Sequence, residues 1–241
     1  IEFAWQSELV RAGYRVATTH WDWVAPVCTD FGEWIRHIGF KGKLVLIENI
    51  ERMQAERLTE LLGCASMAGR TYRPVPPLAA SPSRPPPGFA LNSGARITSG
   101  VQTWWNTRRV ASSSGIVDFM VDRAQNGVSA SPVADGCQQF SHPLCEKGLF
   151  LRYDREAPLL TPADAERMQA FSQRFHAFAV RWMVIPNKTS VYLDTGRSRD
   201  FARHLHTLGA GPDLFTAAQE GRTQVRDLYW PNDTHWSMQG Q

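Results

Sequence analysis

Apolar and polar positions divide the chain into stretches with helical and with strand-like periods. Residues 2–12 set Phe3, Leu9 and Val10 among polar neighbours, and Gly13 is a natural stop, so a helix is expected there. Tyr14 to Thr18 alternates as a strand does. Asp30 stands where it can cap a helix running to Gly39, with Phe31, Trp34, Ile35 and Ile38 at helical spacing. Lys43 to Glu48 is a short apolar run, β-branched in part and bounded by glycine, the profile of a strand buried on both faces of a parallel sheet. A helix from Glu51 to Leu62 follows. Residues 1–62 therefore read helix, strand, helix, strand, helix, which is an α/β pattern.

Residues 70–94 break this rhythm. Pro74, Pro76, Pro77, Pro82 and Pro85 to Pro87 lie among Ser, Ala and Gly, which reads as an extended linker. Ala95 to Ala134 is rich in Gly, Ser and Thr, with short β-like pieces such as Gly115 to Val121. Gly148 to Tyr153 reads as a strand. Thr161-Pro162-Ala163-Asp164 is a helix start, with Thr161 as cap and proline at the first helical position. That helix is expected to reach Val180, with Met168, Phe171, Phe175 and Phe178 on one face. A strand at Arg181–Ile185, short helices at Asp200–Leu208 and Pro212–Glu220, and a brief strand at Val225–Tyr229 complete the pattern.

Length and composition narrow the classes. The 241 residues suit one large domain or two small ones, and 43% hydrophobic with 20% charged residues is ordinary for a globular chain. A net charge of +3, from scattered basic residues without zinc-finger or RNA-binding motifs, gives no sign of a nucleic acid partner. Nine tryptophans are many; each reads either as core or as a face that stacks on sugar rings, His20-Trp21-Asp22-Trp23 among them. Cys28, Cys64, Cys137 and Cys145 form no C-x-x-C pair. A local Cys137–Cys145 disulfide with Cys28–Cys64 as the second pair fits an oxidising compartment; the alternative is four buried thiols. No apolar stretch approaches a membrane helix. Ile1 opens within a helix-like pattern without a signal peptide, as in a processed or excerpted chain.

The sharpest chemistry lies in Asp233 and His235, just after the Val225–Tyr229 stretch. A carboxylate beside an imidazole fixes its tautomer and stabilises the imidazolium once the ring has taken a proton from a serine hydroxyl. Alone, the spacing also suits an exposed surface loop.

The segment Tyr229-Trp230-Pro231-Asn232-Asp233-Thr234-His235-Trp236-Ser237-Met238-Gln239-Gly240 resembles the D-T-H-W-S/T-x-x-G segment of SGNH-superfamily proteins, most closely the alginate O-acetyltransferase group, AlgJ/AlgX-like. Val184-Ile185-Pro186-Asn187-Lys188-Thr189-Ser190-Val191-Tyr192 is similar to that group's V-x-P-x-K-x-x-V-Y strand and turn. Glu146 to Phe150 resembles the glycine-led strand that opens the domain, and Lys43 to Arg52 the strand and E-R turn near its end.

The resemblance implies an SGNH-hydrolase-like (flavodoxin-like) three-layer α/β sandwich with a parallel central sheet. It implies a periplasmic or secreted polysaccharide O-acetyltransferase with a serine acyl-enzyme, Asp233 orienting His235 as general base. Lys188, Tyr192 and Trp236 would be substrate-binding. The implied partners are a polysaccharide, an acetyl donor and membrane-associated biosynthetic proteins, with no metal or organic cofactor.

Two departures accompany the resemblance. No Gly-Asp-Ser segment occurs, and Ser237 matches a family Ser/Thr that is not the nucleophile. The halves are also reversed: residues 1–69 resemble the family's C-terminal half, residues 70–94 form the linker, and residues 95–241 resemble the N-terminal half. The serine would then belong just before Ile1. The chain reads either as the end of one domain and the start of another, or as one permuted or incomplete domain. Arg52 is expected to pair with Glu48, and His142 reads as a loop residue. A catalytically silent carbohydrate-binding or scaffold module, and a glycan acetyl esterase, are the alternative functions.

Overall fold

The structure, a computed structural model, describes residues 4–74, 97–119, 127–237 and 240. The 70–94 linker lies outside the described residues from position 75 on, as does the end of the Gly115–Val121 piece.

The chain begins with α1 (Ala4–Arg11), α2 (Trp21–Val24), α3 (Phe31–His37), β1 (Leu44–Ile50) and α4 (Glu51–Gly63). Tyr14 to Thr18 forms no strand despite its alternation. Helix α3 ends as expected at Gly39, whose φ of 83° is a left-handed conformation that glycine takes without a Cβ clash. Asp30 precedes α3, but its carboxylate caps no helix N–H; it accepts from Met67 N (2.8 Å) and Ser66 Oγ (2.8 Å) and ties the α4 exit to α3.

Next come α5 (Ile97–Ser112), β2 (Val117–Phe119), β3 (Val128–Pro132), α6 (Gly136–Gln139), β4 (Lys147–Leu151) and α7 (Tyr153–Glu156). Helix α8 (Pro162–Ser172) opens on a capping box in which the Asp164 carboxylate takes the Thr161 N–H and hydroxyl, each at 2.8 Å. It stops well short of Val180. The chain turns after Ser172 so that Phe175 and Phe178 stack on each other, 5.5 Å apart, and meet Phe31 edge-on. The remaining elements are β5 (Ala179–Ile185), α9 (Lys188–Tyr192), α10 (Arg199–Thr207) and α11 (Leu214–Gln224).

The architecture is mixed α/β. Among the described residues β1 and β5 form a two-stranded parallel sheet, in register from Leu44 beside Ala179 to Ile50 beside Ile185. Strands β2, β3 and β4 form a separate antiparallel sheet. Strand β1 is not buried on both faces as expected: Ile47 and Asn49 are buried, Leu44 and Glu48 exposed, because β5 is its one described neighbour.

One apolar core joins the early and late parts of the chain. Val27, Phe31, Trp34, Ile47, Leu58 and Leu61 pack with Met168, Phe171, Val180, Trp182, Phe201 and Phe215. A second, smaller core contains Val133, Phe140, Phe150, Val191, Tyr192, Leu228 and Tyr229, with Trp236 packed against it. It lies under the Asp233–His235 segment. Disulfides Cys28–Cys64 and Cys137–Cys145 are both formed, in the pairing expected from sequence, and are compatible with an exported protein. No helix among the described residues is long and apolar enough to cross a membrane.

Candidate active site: the loop carrying Asp233 and His235

The loop is closed at its base by main chain. The expected strand Val225–Tyr229 reduces to a single bridge, Tyr229 to Trp236, because no neighbouring strand reaches it among the described residues. Trp230 N donates to His235 O (3.1 Å), Asp233 N to Trp230 O (3.3 Å) and Ser237 N to Leu228 O (3.0 Å). Leu149 N of β4 donates to Pro231 O (2.8 Å), docking the loop on the antiparallel sheet. Gly240 closes the turn where a Cβ would stand 2.2 Å from Leu228 O, so no side chain fits. Tyr229 is fully buried between Tyr192 and Trp236, with ring centroids at 6.0 and 5.3 Å, and its hydroxyl donates to Pro186 O.

At the tip, His235 Nδ1 lies 2.6 Å from Asp233 Oδ1, and the same oxygen accepts the Thr234 and His235 main-chain N–H groups. A carboxylate at Nδ1 selects the tautomer with its proton there, which leaves the Nε2 lone pair on the far side of the ring. Slight burial pushes the Asp233 carboxyl upward, but the hydrogen bonds from His235 and from the two N–H groups outweigh it and hold the pKa below its ordinary value. The pair is open to solvent, with 76% of the His235 and 52% of the Asp233 side chain exposed. An exposed ion pair adds little stability, so what this geometry provides is orientation.

Lys188 holds the loop from below. It is 1% exposed, and its ammonium donates to the carbonyls of Trp230 (2.7 Å), Asp233 (3.0 Å), Pro231 (3.2 Å) and Leu149 (2.9 Å). The ring faces of Phe150 and Phe140 flank it at 4.9 and 5.3 Å. Gly148 makes room, since a Cβ there would sit 3.4 Å from Nζ and 3.1 Å from the Phe150 ring. Burial lowers the Lys188 pKa to about 7, against the opposing pull of Asp233, Asp154 and Asp227. Tyr192 is also buried, stacks on Phe140 at 4.9 Å, and has its hydroxyl pushed up to about 12 by burial. Lys188 and Tyr192, expected at the substrate, are thus placed under the loop as its support. Trp236 is half-buried against the same core.

A buried polar cluster lies where β1 and β5 end, the edge of a parallel sheet at which α/β proteins gather their polar groups. Glu51 opens α4 and accepts from Asn187 N (2.9 Å), Ser190 Oγ (2.6 Å) and Ser198 Oγ (2.7 Å), with Arg197 at 3.7 Å. Burial raises its pKa, and these donors and Arg197 pull it back. Arg52 extends to Asp154 (3.2 Å) and Asn187 (3.4 Å), joining α4 to α7 and α9. Burial lifts Asp154 to about 6, Arg52 opposing and Glu51 reinforcing. Glu51 and Arg52 stand in the E-R turn, and Asn187 and Ser190 in the Val184–Tyr192 motif, whereas Asp154, Arg197 and Ser198 carried no sequence signal, because the residues of this cluster that they meet lie a hundred or more positions away.

Other expected residues fall elsewhere. His142 is a loop residue whose Nδ1 accepts from Leu144 N (3.0 Å). Trp21 packs on the larger core beneath Arg57, 4.7 Å from its ring. A cleft of about 410 Å³ is lined by Ile116, Ser131, Arg155, Thr189, Asp194 and Arg197 among others, and neither Asp233 nor His235 borders it. Among the described residues Asp233 is the side-chain partner of the His235 ring. No family model, curated protein or solved structure matches this chain.

Proposed function

We propose that this protein takes part in serine-type acyl transfer to a glycan hydroxyl, in the manner of the SGNH-like O-acetyltransferases its motifs resemble, and that it works in the periplasm or outside the cell. The observation that carries this reading is the 2.6 Å contact between Asp233 Oδ1 and His235 Nδ1, with the opposite ring nitrogen directed away from it. In this role Asp233 keeps the proton on Nδ1, and Nε2 accepts the hydroxyl proton of a serine as its oxygen bonds to the acyl carbon. The tetrahedral oxyanion is stabilised by main-chain N–H groups. Collapse expels the donor's leaving group, which takes the proton from Nε2 and leaves an acetyl-serine. A sugar hydroxyl then repeats the sequence and departs as the ester. The machinery would serve an esterase equally, with water in place of the sugar. The partners in this reading are a polysaccharide, an acetyl donor and membrane-associated biosynthetic proteins.

A non-catalytic glycan-binding module is the second reading, and the exposure of the pair outside the 410 Å³ cleft favours it. A fluorophosphonate probe separates the two. In the full-length gene product acyl transfer expects one modified serine by peptide mapping, with labelling and acetyl-ester turnover both lost in His235→Ala. A gene product that stays unlabelled, or turnover unchanged by that substitution, sinks the catalytic reading.

A further inference from the structure

Helix α5 is amphipathic the wrong way round for a helix that packs on a core. From Thr98 on, its half-buried positions are Asn106 and Val110, on one side. Val101, Trp104 and Trp105, on the opposite side by the 100° step of an α-helix, are 60%, 52% and 60% exposed. The helix is fastened at its C-terminal end, where Lys147 Nζ donates to Val110 O (2.8 Å) and Ser113 O (2.5 Å) and Arg109 lies 5.7 Å from the Phe119 ring. Its apolar side is therefore held outward by the fold.

We propose that this face of α5 is an interfacial anchor that lies in the headgroup region of an anionic lipid bilayer. Tryptophan favours that region because its ring is apolar and its N–H can still meet water or headgroups, and arginine reaches lipid phosphates from beside it. Charge selects the partner. Helix α5 contains Arg108 and Arg109 and no Asp or Glu, the next carboxylate being Asp118 in β2, so the helix itself is cationic. A second copy of the chain would set arginine against arginine there, which disfavours self-association. A polyanionic glycan suits the charge but not the shape. The Arg108 guanidinium already covers the Trp104 ring at 4.6 Å, and the Trp104 and Trp105 planes are tilted 42° to each other. They offer no flat platform for successive sugar rings, whereas a bilayer interface accepts side chains at any tilt. Such anchoring is independent of any acyl transfer at His235.

Flotation of the 241-residue chain with phosphatidylglycerol/phosphatidylcholine vesicles tests this. The intact chain is expected to float with these vesicles at low salt, less so at high salt, and to remain behind with pure phosphatidylcholine. Trp104→Ser with Trp105→Ser should reduce partitioning about tenfold or more, and Arg108→Gln with Arg109→Gln about tenfold on anionic vesicles alone. Trp104, Trp105 and Arg108 project from the helix, so the melting transition should persist in their variants; Arg109 also meets Phe119, and the single variants Trp105→Ser and Arg108→Gln, each with a smaller loss, serve if a double variant does not fold. An intact chain that stays in the aqueous fraction overturns the proposal. So does flotation unchanged by the substitutions, binding to dextran sulfate of equal strength that the same changes abolish, or a dimer in sedimentation that Trp105→Ser dissociates.

Discussion

Asp233 gathers three donors on one oxygen, and only one of them is the imidazole. Asparagine can keep the two main-chain bonds only by meeting Nδ1 with an uncharged carbonyl oxygen, and turning its amide to Nδ1 instead gives up those bonds and selects the wrong tautomer. Asp233→Asn is therefore expected to leave the fold intact and to lower acetyl-ester turnover by about 10³–10⁴-fold, as loss of tautomer control does in a serine triad; steady-state kinetics beside a thermal melt is the check. Lys188 is different in kind, since four main-chain oxygens converge on it. Lys188→Met keeps the stem and strands those carbonyls, at a cost of about 2–4 kcal/mol in urea unfolding. The pH dependence has a definite sign. A lysine near 7 in the fold and 10.5 when unfolded binds fewer protons folded than unfolded between those values, so stability contributed at this position rises from pH 7 towards 10. Asp154 acts oppositely at lower pH: near 6 folded and 3.8 unfolded, it retains its proton longer in the fold, and its contribution falls as pH rises from about 4 to 6. Urea titrations at several pH values should show the first slope vanish in Lys188→Met and the second in Asp154→Asn. The aspartate and histidine were legible in the sequence because they are two residues apart. The support beneath them was legible only as a motif, since a lysine in a turn says nothing about which carbonyls it will meet.

At the scale of elements, legibility follows how a stretch spends its apolar residues. Helices α3, α4 and α8 and strands β1 and β5 turn a periodic apolar face to the core, and the sequence period announces them. Helix α5 escaped because its inner side is Asn106 and Val110 and its composition is rich in Thr, Ser and Gly, so no inward stripe marks it. Among the described residues Tyr14–Thr18 and Val225–Tyr229 alternate correctly yet pair with no strand, reaching only single bridges at Thr18 and Tyr229, and alternation alone cannot supply a partner. The α8 cap offers a local test. Asp164→Ala removes the carboxylate that takes the Thr161 N–H and hydroxyl, and about 1 kcal/mol of stability should go with it in chemical denaturation.

At the scale of the molecule, the two disulfides tie down chain segments of very different length. Cys28–Cys64 spans 36 positions and Cys137–Cys145 spans 8. Chain entropy then assigns the first about 4 kcal/mol and the second about 2.5 kcal/mol. Cys28→Ser with Cys64→Ser should lower the denaturation midpoint more than Cys137→Ser with Cys145→Ser; equal losses would show that strain or residual structure, not loop length, governs them. The cysteine pairing was readable from spacing. The sheet was not, because a strand pattern does not name its neighbour, and β1 finds its partner in a strand that begins at residue 179.

That long reach between β1 and β5 sets a schedule for synthesis. At ribosomal speeds of about 5–20 residues per second, β1 leaves the exit tunnel on the order of ten seconds before β5 is made. Through that interval Val45, Ile47 and the apolar side of α4 have no sheet to complete and no late helix to cover them. A nascent chain arrested before residue 179 should consequently be the species that holdase chaperones retain, and one arrested after both strands are free should be released.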